Sequence, residues 1–257
     1  MMRLLFTLIK KELTEQWRTK KILILVVVML FSAIASPIIA KLMPELLKSI
    51  SIQGLTINLP ESTYMDSIDQ FIKNISQIGL LVVIFVVASA MTDEKSRRTL
   101  EIVMTKPIPR GLFIFSKFAA YFISISAIFA LASWVFYNYT VMTFTTFSSL
   151  NFWIMSKCVL AYMLMVVSFT VLASTIFKNA IIAGGAGFVF FLSFGPLVGM
   201  IKAAKGFSPN VILSSYQEII KNGWIDDLIK PLIIIFITVI FSIFLSMVVF
   251  KHQEIER

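Results

Sequence analysis

The residues with chemistry to offer gather in one stretch, Thr92 to Gly111, reading TDEKSRRTLEIVMTKPIPRG. Asp93, Glu94, Lys95, Arg97, Arg98 and Glu101 crowd its first half, and strongly apolar sequence lies on both sides. Opposite charges stand one helical turn apart, as Asp93 with Arg97, Glu94 with Arg98 and Arg97 with Glu101. Each such pair adds about 0.2 to 0.5 kcal/mol to a helix in water. Leu100, Val103 and Met104 fall at i, i+3 and i+4 and give that helix one apolar face. Lys106 precedes Pro107, which disfavours a helical conformation there and ends the element. The chemistry such a knob offers is recognition, its short apolar face and hard stop suiting a groove on another protein, with a solvated loop whose charges only set topology as the alternative.

Other chemistry has few candidates. The single histidine, His252, falls in a polar tail and reads as a solvated residue, and the single cysteine, Cys158, falls in an apolar run. No G-x-x-x-x-G-K-[ST] stretch occurs, so nothing here cradles nucleotide phosphates. Enzymatic work inside the membrane would need a nucleophile and base, or metal ligands, on the apolar segments, and those segments read as free of acidic residues.

The elements that must carry the knob belong in lipid. Of 257 residues 58% are hydrophobic and only 14% charged, far from a soluble average. The net charge of +9 sits at the edges of the apolar runs rather than along one soluble face, which excludes a nucleic-acid platform. Residues 1–21 set Leu5, Ile9, Leu13 and Trp17 four apart among lysines and glutamates, predicting an amphipathic helix at the interface. Residues 22–40 form a first span, long enough for a hydrocarbon core of about 30 Å. Pro37 is expected to kink or end it.

Residues 41–73 leave the membrane, with alternation around Gln53 and Gly54 predicting a small hairpin. Spans then follow at 74–91, 112–136, 156–177, 180–201 and 231–250, with the charged loop at 92–111 and outer helices within 202–230. Residues 251–257 are a polar tail. Lys117 lies about one turn inside the third span and is expected to snorkel back to the surface. The fifth span, with Gly184, Gly185, Gly187, Gly195, Pro196 and Gly199, is expected to pack closely and bend. The expected fold is thus an all-helical membrane protein of six spans.

Lys and Arg fall fifteen on one side and eight on the other, whereas acidic residues divide seven and seven. The positive-inside rule then puts both termini and the knob in the cytoplasm. Hydroxyls within spans, Ser124, Ser168 and Ser193 among them, either bond their own helix or line a mildly polar path for an amphipathic substrate.

Glu94, Lys95, Thr99, Leu100, Glu101, Pro107, Arg110 and Lys117 resemble the pattern between the second and third spans of ABC-2 type permeases. These are the integral-membrane subunits of ATP-binding-cassette exporters. That family's signature is close to E-R-x-x-G-T-L-E, a few apolar residues, then P-x-x-R. Its usual glycine before the threonine is Arg98 here. The resemblance extends to the interfacial helix, six spans and outer helices, and so covers essentially the whole chain.

It implies a permease with no catalytic residue and no cofactor of its own. It also implies two separately encoded ATPase subunits that bind the ATP, a second permease copy or a sister permease, lipid around it, no nucleic acid, and a prokaryotic cell membrane. On this resemblance Glu94, Arg97, Arg98, Thr99, Leu100, Glu101, Val103, Met104, Pro107 and Arg110 form the ATPase-coupling site, with Glu94 to Met104 as a coupling helix. The alternatives are an ion-coupled secondary transporter, which would normally carry ionisable residues at the bilayer midplane, and a membrane-assembly protein that transports nothing.

Overall fold

The computed structural model describes residues 2–49, 62–105, 108–201 and 206–253, and the side chains of all these except 45–49 and 102–104. Among the described residues every regular element is helical, and six helices are long and apolar enough to cross a membrane. The chain is an all-α membrane protein. The hairpin expected around Gln53 and Gly54 lies outside the described residues.

Helix α1 (Met2–Arg18) leads through Lys20, at φ 60°, into α2 (Lys21–Ser49). Neither Pro37 nor Pro44 ends α2. Proline is tolerated inside a spanning helix because neighbouring groups and side chains re-satisfy the freed backbone carbonyl. Helix α3 (Tyr64–Asn74) starts in a capping box in which Asp66 accepts from the backbone N–H of Thr63 at 2.7 Å. A π-helical turn, Ile75–Gly79, joins it to α4 (Leu80–Ser96), so α3, expected to lie outside the membrane, and the second span form one spanning element, Tyr64–Ser96. Short α5 (Thr99–Met104) follows.

Helices α6 (Arg110–Thr143) and α7 (Ser149–Ile176) are longer than the apolar runs alone indicate. The uncharged Tyr, Thr and Trp residues between those runs continue the helices, leaving 144–148 as the turn. Helix α8 (Ala180–Met200), short helices α9 (Asn210–Ser214) and α10 (Tyr216–Asn222), a 3₁₀ turn (Asp226–Leu228) and α11 (Ile229–His252) complete the order.

Helix α7 is the buried centre of the bundle and packs on α11, α4, α8 and α6. Its neighbours stack aromatics against it, with Phe71 on Phe136 at 4.1 Å and Phe136 on Phe152 at 5.8 Å between ring centres. Helices α8 and α11 show most of their apolar surface outward. The glycines of α8 fit where a side chain would not. A Cβ on Gly187 would stand 2.7 Å from Thr170 Oγ1, and one on Gly195 would overlap the Asn210 amide. Gly195 and Gly199 therefore pack against the chain's own segment between α8 and α11, near Asn210 and Ser208.

Candidate functional site: a buried charge cluster beneath the loop after α4

One end of the bundle collects α1, the start of α2, the loop after α4, the start of α6 and the end of α11. There the charges of the loop turn inward. Lys117 Nζ, on a side chain only 1% exposed, lies 2.9 Å from Glu12 Oε2 and 3.0 Å from Glu94 Oε1. Lys11 Nζ touches Glu94 Oε1 at 2.6 Å, Glu12 Oε1 at 3.0 Å and Glu15 Oε2 at 3.3 Å. Both ammoniums also face the Phe113 ring, 5.1 Å and 5.8 Å from its centre. Beside them Lys21 pairs with Asp93 at 2.8 Å.

Lys117 therefore does not snorkel. Two carboxylates from other helices meet its ammonium where it lies, and desolvating three charges together is tolerable only because each has a partner. Burial by itself would push the Glu12 carboxyl up, but Lys117 and Lys11 hold it below the ordinary range. Burial likewise works against charge on Lys11, and Glu12 and Glu94 overcome it, holding Lys11 above the ordinary lysine range. Oxygens of Glu12, Glu15 and Glu94 lie within 4.8 Å of one another, a spacing that suits a metal ion. Lys11 Nζ touches all three carboxylates, so the chain itself supplies the positive charge.

The face of α1 that meets the bundle carries Leu8, Glu12 and Gln16, while Trp17 is 70% exposed. The apolar row of Leu5, Ile9, Leu13 and Trp17 lies off that face, on the side an interfacial helix would turn to lipid.

The loop is not one helix from Glu94 to Met104. Helix α4 ends at Ser96, Arg97 is its C-cap, and Arg98 stands at φ 55° before α5 begins at Thr99. A left-handed residue just past a helix end is the place where glycine costs least, which gives a physical reason for the family's usual glycine at this position. The break also removes the expected turn-to-turn pairs. Asp93 and Glu94 pair with Lys21, Lys11 and Lys117 instead, and among the described residues no ion pair joins Arg97 or Arg98 to an acid. Replacing Arg98 with glycine relieves a strain of about 1–2 kcal/mol, partly offset by about 0.4–1 kcal/mol of added freedom in the unfolded chain. The expected result is a protein more stable by up to ~1 kcal/mol, read as a higher melting temperature in detergent.

The remaining loop residues divide by direction. Leu100 turns inward against Met91, Phe113, Ile114 and Phe250. Thr99 Oγ1 donates to the Glu94 carbonyl at 3.3 Å. Arg97, Arg98, Thr99 and Glu101 are exposed. Val103 and Met104 belong to α5 by backbone, but their side chains, like Pro107, lie outside the described residues. Arg110 opens α6, and its Nη1 donates to the carbonyls of Lys251 at 2.8 Å and Gln253 at 3.2 Å, closing the end of α11. Lys95 Nζ does the same for α7, donating to the carbonyls of Ser174, Thr175 and Phe177. Cations on helix C-termini satisfy orphan carbonyls and suit the helix dipole. Between α1 and the loop lies a cavity of about 270 Å³ lined by Lys11, Glu15, Thr19, Asp93, Glu94, Arg97 and Thr99.

The candidate path serines do not come together through hydrogen bonds. Ser124 bonds the Tyr121 carbonyl, Ser168 that of Met165 and Ser193 that of Val189, each within its own helix. His252 is exposed and Cys158 is buried as a free thiol. Lys11, Glu12, Glu15 and Lys21 were missed as site residues. The signal for them was indirect, a lysine inside an apolar run with no acid on its own helix to answer it.

The family model described as ABC-2 family transporter protein matches residues 6–255. The chain is also similar to the uncharacterized transmembrane protein YxlG of Bacillus subtilis (strain 168). The two are 22% identical over 226 residues, which cover 86% of this chain and 87% of that protein.

Proposed function

The chain belongs to the ABC-2 transporter family and is a transmembrane component of an ABC-type transporter. From that premise we propose that it is the permease of an exporter whose ATP is bound and hydrolysed on separate subunits, with the loop after α4 as their contact. The observation that carries the reading is the charge cluster. Glu94, at the root of the loop, shares Lys11 with α1 and Lys117 with α6 through contacts of 2.6 and 3.0 Å. A push on the exposed Arg97, Arg98, Thr99 and Glu101 therefore reaches α1, α4 and α6 together. Capping of α7 by Lys95 and of α11 by Arg110 extends the same connection to two more spans.

The cargo is an amphipathic or hydrophobic molecule, such as a peptide, lipid-like compound or drug. Apolar spans whose polar groups are mostly hydroxyls support that class. The pairing is with two ATPase subunits and with a second permease copy or a sister permease. The membrane is that of a prokaryotic cell, and the Lys and Arg bias supports both termini and the loop in the cytoplasm. Ion coupling draws less support, because the buried carboxylates Glu12 and Glu94 sit at one end of the bundle, already paired, rather than at the midplane.

The test is charge reversal at exposed loop positions that have no ion partner among the described residues. In liposomes with its ATPase, Arg97→Glu and Glu101→Lys are each expected to weaken co-purification and permease-dependent ATP hydrolysis about tenfold, which corresponds to ~1.4 kcal/mol, with melting temperatures unchanged. Full association and hydrolysis in both variants would remove the loop from the contact.

A further inference from the structure

At the same end of the bundle, on the outward side of α6 and α11, lies a second cavity of about 580 Å³. It is lined by Arg110, Gly111, Met247, Val248 and Lys251. Two of these residues are basic and none is acidic. Arg110 spends one nitrogen, Nη1, on the end of α11, and among the described residues the other donors of its fork have no hydrogen-bond partner. Lys251 is exposed. The first turn of α6, a helix of 34 residues, opens at Pro109 with no side chain capping it, and Gly111 of that turn lines the cavity. The backbone N–H groups of an uncapped first turn attract negative charge, as do the two cations.

The other wall is apolar and continues away from the charges. From Val248 the face of α11 runs back through Phe244, 64% exposed, and Ile240, 51% exposed, toward the middle of the span. Positive groups at a helix end beside an apolar stripe running along a membrane-spanning helix match one kind of molecule, with a phosphate at one end and acyl chains at the other. We propose that this cavity is a binding site for an anionic phospholipid, its headgroup held by Arg110, Lys251 and the start of α6, and its chains laid along Val248, Phe244 and Ile240. Basic pockets at the ends of spanning helices hold anionic headgroups by this combination of charge and apolar contact. The proposal needs only that the chain spans a membrane and is independent of the transport reading.

The experiment uses the purified full chain in detergent, supplied with equal amounts of phosphatidylglycerol and phosphatidylcholine of identical acyl chains. Native mass spectrometry reads the lipid retained. Preferential retention of phosphatidylglycerol is expected, reduced about fivefold in Lys251→Gln, the equivalent of ~1 kcal/mol per basic residue near a charged headgroup. Lys251→Glu should reduce it further. Lys157→Gln, which removes an exposed lysine of α7, should leave it unchanged. Equal retention of the two lipids, indifference to both Lys251 changes, or an equal fall in Lys157→Gln would each overturn the site. So would protection of the site by glycerol 3-phosphate as effective as that by the intact lipid, because the acyl wall would then contribute nothing.

Discussion

Exchanging Lys117 for methionine is expected to destabilise the detergent-solubilised protein by about 3–5 kcal/mol, the usual cost of removing one member of a buried ion cluster. The reason is geometric. Glu12 and Glu94, each with about 5% of its side chain exposed, are left with Lys11 alone. Lys11 is 39% exposed and also serves Glu15, so it cannot neutralise both buried carboxylates. The informative comparison is the triple variant Glu12→Gln, Glu94→Gln, Lys117→Met, which removes the buried charges together. It should recover most of the loss, because neutral groups of similar volume often replace buried ion clusters at little cost. Thermal melts of the two variants check both statements. A single variant within ~1 kcal/mol of the parent, or a triple variant worse than the single, would mean that the cluster is not buried as described.

The second large effect is expected at Gly195. A Cβ there would occupy the position of the Asn210 amide, whose Oδ1 accepts from Tyr162 Oη at 3.3 Å, while Ser208 Oγ donates to the Gly195 carbonyl at 2.8 Å. Asn210 is short and is held by that contact, so it has little room to withdraw. Gly195→Ala should cost about 1–3 kcal/mol, the range for overpacking a filled interior. Asn210→Ala alone loses one hydrogen bond, about 0.5–1.5 kcal/mol. The double variant should melt no lower than Asn210→Ala, because the clash disappears with the amide. Additive losses would show that α8 and the segment at Asn210 do not meet at this point.

Much of the architecture is legible in the chain. Uncharged runs of spanning length indicate six spans, and the glycines of α8 indicate close packing that Gly187 and Gly195 display. What periodicity cannot tell is which face of a helix meets a neighbour. On α1 the apolar row of Leu5, Ile9 and Leu13 is the more obvious one, yet the row turned to the bundle holds Glu12 and Gln16. Only knowledge of Lys117 on a distant helix makes a buried Glu12 intelligible. The loop misled for a related reason. Its charges satisfy a helical pattern among themselves, but partners on α1, α2 and α6 offer buried, and therefore stronger, pairing. Leu100 followed the same course, since the apolar face it seemed to mark closes on Phe113 and Phe250. Arg98 was noticed as a departure from the family's glycine, but the left-handed backbone that explains that glycine cannot be read from residue types.

The charge cluster also sets an order of events in biosynthesis. Glu12 is made 105 residues before Lys117, and Lys11 is made 83 residues before Glu94. At about 5–20 residues per second, the ribosome needs roughly 5 to 20 seconds to deliver Lys117 after Glu12. Through that interval Glu12 has only its neighbour Lys11 as a partner, so α1 stays at the membrane surface until the buried Lys117 arrives. It can dock only when the third span arrives. Helix α1 is therefore fixed in place after the second and third spans, and its docking marks the moment at which that half of the bundle is complete.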